Sequence, residues 1–346
     1  MDDSNHLAAG IIDAHCHIAS GEHIPKSFIA GATANMVAAL SAQGVMVNAS
    51  KLGKMYEQKM QDPLCDELVA EMAVAGISKS ILLIPDFTYA LKDCVLTIEE
   101  SFHKHRQVLA RHPGKFEVFG GVDPRWGKDG LALFERSLVE FGFRGFKLYP
   151  PCGYSPSDPA LFPFYEICAH HRVPVLLHIG PTSPALSFST CNPFLIDNAA
   201  KSFSTVNFIL AHGSVSFTEE CAMMCRYRPN VYLDISAFQS TMTHKRMGDT
   251  VKRTLSQGLN HKVIFGTDWP VFRLQGTQQS FLGAIADEDG AASEISDRER
   301  DLFFSRKHRT PAGKLNCCFR GIRLHRLNRD AFSLIKKPTL GDSREV

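Results

Sequence analysis

The chain has 346 residues, 44% of them hydrophobic, enough to bury a sizeable core as one large α/β domain or two ordinary ones. Its formal net charge of +2 gives no reason to expect a nucleic-acid or membrane-surface partner for the chain as a whole. No run of about 18 apolar residues occurs, and the polar, acidic start Met1-Asp2-Asp3-Ser4-Asn5-His6 lacks the basic-then-apolar order of a signal peptide, so a soluble cytoplasmic protein is expected.

Taken in chain order, short β-branched or apolar runs fall at 11–17, 79–85, 116–122, 143–149, 173–178, 207–212, 230–236 and 262–268. Between them lie segments of helical periodicity, among them 66–76, 97–111, 129–141, 159–171 and 246–257. Strand and helix alternating eight times predicts an α/β fold, a (β/α)8 TIM barrel. An open doubly wound sheet is the rival, but the first strand is followed by Asp13-Ala14-His15-Cys16-His17 where a dinucleotide fold would place a Gly-rich turn. The first connection, 18–60, is long and has helical periodicity of its own, which predicts a helical lid insertion over the active site. The ten cysteines show no paired spacing and read as reduced thiols filling the core.

Catalytic residues of such a barrel come from the C-terminal ends of several strands, converging on one mouth. Strand one ends in His15 and His17, strand four in Lys147 and Tyr149, strand five in His178, strand six in His212 and strand eight in Asp268. Alternation along a strand puts Asp13, His15 and His17 on one face and Ala14 and Cys16 on the other. Two imidazoles so spaced can chelate one metal ion. Singly, His178 or His212 could be a satisfied core histidine and Asp268 a helix cap; jointly these polar strand ends predict a metal site. His170, His171, His103 and His105 lie in helical segments, where solvated surface is expected.

Asp13-x-His15-x-His17, Gly-Phe-Lys-Leu-Tyr-Pro at 145–150, Leu-Leu-His at 176–178, Leu-Ala-His-Gly at 210–213 and Phe-Gly-Thr-Asp-Trp-Pro at 265–270 resemble the amidohydrolase superfamily. Within it, the chain is similar to the amidohydrolase-related branch of metal-dependent hydrolases, lactonases and aminocarboxymuconate-semialdehyde-type decarboxylases. The resemblance runs from about 11 to 305. It implies one divalent metal ion, zinc first and Mn2+, Fe2+ or Co2+ as alternatives, held by His15, His17, His178 and Asp268, with His212 serving the reaction more than the metal. It also implies a homodimer.

Such an ion lowers the pKa of water and polarises a substrate oxygen. Asp268 is then placed to take the water's proton and His212 to orient the water or stabilise an oxyanion. Lys147 admits three roles: binding a substrate carboxylate, carrying a carbamate that bridges two metals as in binuclear members, or covering the rim with its stem. Arg125 and Trp126, just beyond strand three, are candidates for gripping an anionic substrate, with Tyr149 close by; a solvated loop is the alternative. Asp13 is expected to support the site from behind the ligands. The expected function is hydrolysis of an amide or lactone in a small molecule. Nonoxidative decarboxylation of an aromatic or unsaturated acid is the alternative, and a non-catalytic barrel the third.

The barrel domain is expected to span 1–305, and a basic, disordered or frame-altered tail 306–346, which carries 11 Lys and Arg against 3 Asp and Glu. The resemblance implies the continuation Gly-Asn-Thr-Ala-Arg-Leu-Leu after Ser305. Arg306-Lys307-His308-Arg309-Thr310-Pro311-Ala312-Gly313 stands there instead. Permissible codons for those residues, beginning AGG AAA CAC, spell Gly-Asn-Thr-Ala-Arg-Leu-Leu-Gly when read one base later, which suggests a one-base frame change near 306.

Overall fold

The computed structural model describes residues 10–240, 244–287, 289–304, 307–309 and 315–317. Eight parallel strands follow one another in chain order around a nearly closed TIM barrel: β1 (Ile11–Cys16), β2 (Ile77–Leu83), β3 (Phe116–Gly121), β4 (Gly145–Leu148), β5 (Val175–His178), β6 (Phe208–Ala211), β7 (Val231–Asp234) and β8 (Val263–Ile264). All eight fall on the runs read from the sequence, and each pairs with the next. The eighth is shorter than its apolar run, and four residues beyond its end the chain reaches left-handed geometry at Asp268, whose φ is +58°. The segment after β8 closes on β1 instead. Ala14 N–H donates to Phe265 O at 3.0 Å, Asp268 N–H to His15 O at 2.8 Å and His17 N–H to Trp269 O at 2.7 Å.

The helices are α1 (Lys26–Ala42), α2 (Ala49–Lys59), α3 (Asp66–Ala75), α4 (Ile98–Arg111), α5 (Gly127–Val139), α6 (Phe162–His171), α7 (Asp197–Ser202), α8 (Thr218–Tyr227), α9 (His244–Leu255), α10 (Gln278–Ala286) and α11 (Asp297–Phe304). Local chemistry sets their ends. Thr97 and Glu100 form a reciprocal capping box at the start of α4, and Gly76, at φ +71°, ends α3 in left-handed geometry. No described helix is long and apolar enough to cross a membrane.

Two apolar layers hold the barrel. Inside it, Ala14, Ile81, Leu83, Phe119, Leu176, Ile209, Ala211 and Ile264 pack together. Phe119 fits only because residue 145 is glycine: a Cβ there would lie 2.4 Å from its ring. Outside, Phe146 of β4 stacks on Phe164 of α6 at 5.3 Å and meets Phe134 of α5 at 4.3 Å. Each such buried ring contributes about 1.5–3 kcal/mol. Cys16, Cys65, Cys94, Cys152, Cys168, Cys191, Cys221 and Cys225 are free thiols and all but Cys94 are buried, so packing rather than covalent bridging is their structural role.

The segment expected as a lid folds as α1 and α2, with Ile29, Tyr56 and Met60 packed together beneath them. Of the tail at 306–346, β9 (Lys307–Arg309) pairs antiparallel with β10 (Leu315–Cys317), and the rest lies outside the described residues.

The expected common face of Asp13, His15 and His17 fails in β1. Asp13 reaches Gln278 of α10 outside the barrel, whereas His15 and His17 turn to Asp268. The β1–β2 register shifts between Asp13 and Cys16, and such an irregularity re-aims the side chains that follow.

Candidate metal centre

Hydrogen bonds fix which nitrogen of each β1 histidine is free. His17 Nδ1 lies 2.8 Å from the carbonyl oxygen of Leu83, which can only accept, so Nδ1 carries the proton and Nε2 the lone pair. His15 Nδ1 donates in the same way to Asp234 Oδ2 at 2.8 Å. Both free Nε2 atoms face Asp268 Oδ1, at 3.4 Å from His15 and 3.3 Å from His17. Three electron-rich atoms so close together are reconciled by a cation. An ion about 2.05 Å from each donor, in tetrahedral geometry, would set them about 3.3 Å apart. The donor set and its spacing therefore fit one divalent ion.

Electrostatics agree. Burial pushes the imidazoles of His15 and His178 well below the ordinary range and lowers His212, so all three are neutral, the form that binds metal. For Asp268 burial acts upward, but the contact with His17 and the neighbouring imidazoles of His15 and His212 outweigh it and hold the carboxyl below its usual range. It is ionised at neutral pH.

Behind the ligands stands Asp234 at the end of β7. It is fully buried, and its Oδ1 accepts the backbone N–H of His212 at 2.9 Å, that of Ser236 at 3.0 Å, and the Ser236 hydroxyl. Ser236 Oγ also meets His212 Nδ1 at 2.8 Å. His15, His212 and Asp234 form a second cluster of ligand-type atoms within 4.8 Å of one another. There, however, His15 approaches Asp234 through its protonated Nδ1. That cluster is a hydrogen-bonded relay, and the metal-binding face is the one toward His17 and Asp268.

Two of these residues sit in left-handed backbone, His212 at φ +62° and Asp268 at +58°. This geometry costs about 1–2 kcal/mol for a residue with a Cβ and persists where surrounding bonds enforce it. Asp234 Oδ1 holds the amide of His212, and His15 O that of Asp268. Gly266 provides the room: a Cβ there would lie 2.9 Å from that of His15.

The remaining expected residues divide. His178 stacks on Tyr149 at 4.3 Å, donates from Nε2 to Pro181 O at 2.9 Å and turns Nδ1 to His212 Nε2, 3.2 Å away. It is beside the cluster of His15, His17 and Asp268 rather than in it. Tyr149 stands over His178, its hydroxyl 2.9 Å from Thr182 Oγ1. Lys147 is 1% exposed, and its Nζ has no hydrogen-bond partner. Burial pushes it down to about 8 against the pull of Asp234 and Asp268. Asp13 accepts from the His15 amide at 3.1 Å, Thr267 N–H at 3.0 Å, the Thr267 hydroxyl at 2.6 Å and Gln278 at 2.9 Å, tying β1 to the segment that carries Asp268.

Arg125 is not brought to the site. Its guanidinium is spent on Asp123, at 2.8 and 2.6 Å, and on Cys152 O at 2.8 Å, while Trp126 Nε1 donates to Asp86 at 3.1 Å. Arg125 braces the loop after β3. His105 also departs from expectation: it is 2% exposed, because it shares the inward face of α4 with Ser101, Phe102 and Val108, while His103 is exposed. Sequence reasoning missed Asp234 and Ser236. Asp234 closes an apolar strand as Asp268 does, so the strand-end rule contained the signal.

Above the centre lies a cavity of about 380 Å³, within the range of small-molecule sites. His17, His178, His212 and Asp268 form its floor, and α1 and α2 contribute Phe28, Ala32, Met36 and Tyr56 to its walls. The arrangement can hold a cation at the base of a largely apolar chamber.

The sequence model of the amidohydrolase family matches residues 12–306. A search of curated proteins returned no match. Among solved structures, an uncharacterised TIM-barrel protein from Bordetella bronchiseptica is 18% identical with a TM-score of 0.59, over 84% of this chain and 96% of that one. The 5-carboxyvanillate decarboxylase of Novosphingobium aromaticivorans, with bound manganese, is 13% identical with a TM-score of 0.57, over 88% of this chain and 97% of that one. A dihydroxybenzoic acid decarboxylase from Polaromonas sp. JS666, also with bound manganese, is 17% identical with a TM-score of 0.54, over 86% and 94%.

Proposed function

The chain belongs to the amidohydrolase family, and from that premise we propose that it is a metal-dependent hydrolase cleaving an amide or lactone bond in a small organic molecule. One observation carries the proposal: two imidazole lone pairs and an ionised carboxylate oxygen meet at 3.3–3.4 Å at the base of an apolar cavity. His15, His17 and Asp268 would hold the ion, with His178 adjacent. A divalent ion bound there supplies a water of lowered pKa and a polarised substrate carbonyl. Zinc and manganese both suit the donor set.

The chain's own residues supply the rest. Asp268, ionised and facing the cavity, accepts the proton of the attacking water and returns it to the leaving group. His212, braced by Asp234 and Ser236, offers its ring to the developing oxyanion. The Lys147 ammonium, which has no hydrogen-bond partner and lies 5.9 Å from the Tyr149 ring centre, attracts a substrate carboxylate, and the ring of Tyr149 packs against the substrate body. The α1–α2 cover keeps bulk water out. The chain works in the cytoplasm on a small molecule, as a homodimer.

A second reaction is favoured by the aromatic wall. Phe28 meets Phe87 at 5.3 Å, Phe87 meets Tyr149 at 4.9 Å, and Tyr149 stacks on His178. That wall suits a flat unsaturated acid, and the same centre would then serve nonoxidative decarboxylation. A screen of amides, lactones and unsaturated carboxylic acids with zinc- or manganese-loaded protein, read by product formation and by headspace carbon dioxide, separates the two. Turnover of an amide or lactone without carbon dioxide is the expected result; carbon dioxide release alone assigns the decarboxylase, and no turnover by a metal-loaded protein favours a non-catalytic barrel.

A further inference from the structure

One pair of polar groups in the cavity is used neither by the metal centre nor by the fold. His105 Nδ1 donates to Ser101 O at 2.8 Å, which leaves Nε2 as a bare lone pair, and that atom is buried without a hydrogen-bond partner. His23, on the loop before α1, has Nδ1 3.0 Å from Ser101 Oγ, and its Nε2 is likewise buried and unpartnered. The two rings stand 5.0 Å apart and nearly perpendicular, and both line the cavity whose floor includes His17. Ile18, Leu83 and Phe87 line the same chamber.

A buried polar atom left unsatisfied costs about 1–3 kcal/mol. A Leu or Phe at 105 would pack α4 without that cost, since its neighbours on the inward face include Phe102 and Val108. Metal binding does not account for the pair: no cluster of three ligand-type residues among those described includes either histidine. A second carboxylate is also a poor fit. Burial, with Lys104 adding to it, pushes His23 down to about 4, and burial, with His23 and His17 adding to it, takes His105 well below its ordinary range, so neither ring offers positive charge at neutral pH. A bare lone pair in an apolar wall calls for a neutral hydrogen-bond donor.

We propose that His105, with His23 beside it, is a specificity-determining subsite that accepts a hydrogen bond from a hydroxyl or N–H group on the substrate body while the reacting carbonyl lies at His15, His17 and Asp268. The inference rests on the hydrolase reading for the position of the reacting end. It adds a requirement to it: the substrate carries, on an otherwise apolar frame, an uncharged donor remote from the bond that breaks.

The test uses full-length, metal-loaded protein and hydroxamates, which anchor at a metal ion. Dissociation constants are measured calorimetrically for benzohydroxamate, phenylacetohydroxamate and their 3- and 4-hydroxy derivatives. At least one hydroxyl derivative is expected to bind about fivefold or more tighter than its parent. The ratio should fall to about one in His105→Phe and in the smaller His105→Leu, neither of which carries an acceptor. In the wild-type protein the 15N resonance of His105 Nε2 should move upfield when that derivative binds, a readout that needs no variant. No hydroxyl preference, a preference kept in both variants, or an unmoved resonance would overturn the inference while the metal reading stands; the unmoved resonance would leave water as the partner of His105. Failure of every hydroxamate to bind would overturn the metal reading, and the subsite with it.

Discussion

Replacing Asp234 by Asn tests the relay behind the ligands without touching a ligand. Asp234 Oδ1 would keep its backbone donors from His212 and Ser236, so the amide NH2 would take the place of Oδ2 and point at the Nδ1 proton of His15, 2.8 Å away. Two donors cannot share that contact. The simplest relief moves the His15 proton to Nε2, which occupies the lone pair facing Asp268 and removes one of the three metal donors. Loss of such a supporting contact typically costs 10–100-fold in metal affinity, or about 1.4–2.8 kcal/mol. Titration of the metal-stripped protein with zinc against a competing chelator measures it, with circular dichroism as the check on folding. A folded Asp234→Asn protein whose zinc affinity is within twofold of wild type would refute the tautomer argument.

Lys147, held at about 8 by burial, is a cation below that pH and neutral above it; KM for an anionic substrate should therefore rise above about pH 8, with a flat profile in Lys147→Met, and the same limb in the variant would remove Lys147 from substrate binding. Arg125→Ala should lower stability by roughly 1–3 kcal/mol, by leaving the buried Asp123 carboxylate without its bidentate partner, and should change kcat/KM by less than twofold; thermal unfolding and steady-state kinetics check the two halves, and a large rise in KM would return Arg125 to the site. Asp13→Ala should loosen β1 from Thr267 and reduce metal occupancy together with unfolding temperature, whereas loss of only one of the two would contradict its bridging role. At the locus, an AGG codon at Arg306 followed by the codons that restore Gly-Asn-Thr-Ala-Arg-Leu-Leu in the next frame is expected, consistent with a family match that ends at 306; any other Arg306 codon would sink the one-base frame change.

The barrel was legible in the sequence because its signal is local and repeated. Each strand is a short apolar run followed by helical periodicity, and the strand-end rule picks out His15, His17, Lys147, Tyr149, His178, His212 and Asp268 as a group, of which His15, His17 and Asp268 form the cluster and His178 stands beside it. What escaped it depends on departures from regular geometry. The shift in β1 leaves Asp13 outside the barrel, on Gln278, while His15 two residues on turns to the site, against strict alternation. The left-handed backbone at His212 and Asp268 aims both side chains in a way no period-2 pattern encodes. Charge and a place after a strand mark Arg125 as a substrate contact, but Asp123, two residues away, decides its orientation. His105 looked like helix surface, and only the fold shows that its face of α4 turns inward.

The most direct test of the metal centre is elemental analysis of purified protein grown with zinc and manganese supplied, beside the variant His17→Ala. One divalent ion per chain in the wild type, and its loss from the folded variant, is the expected result. A folded wild-type protein that carries no ion, and takes none up on titration, would contradict the assignment of His15, His17 and Asp268 as a metal site.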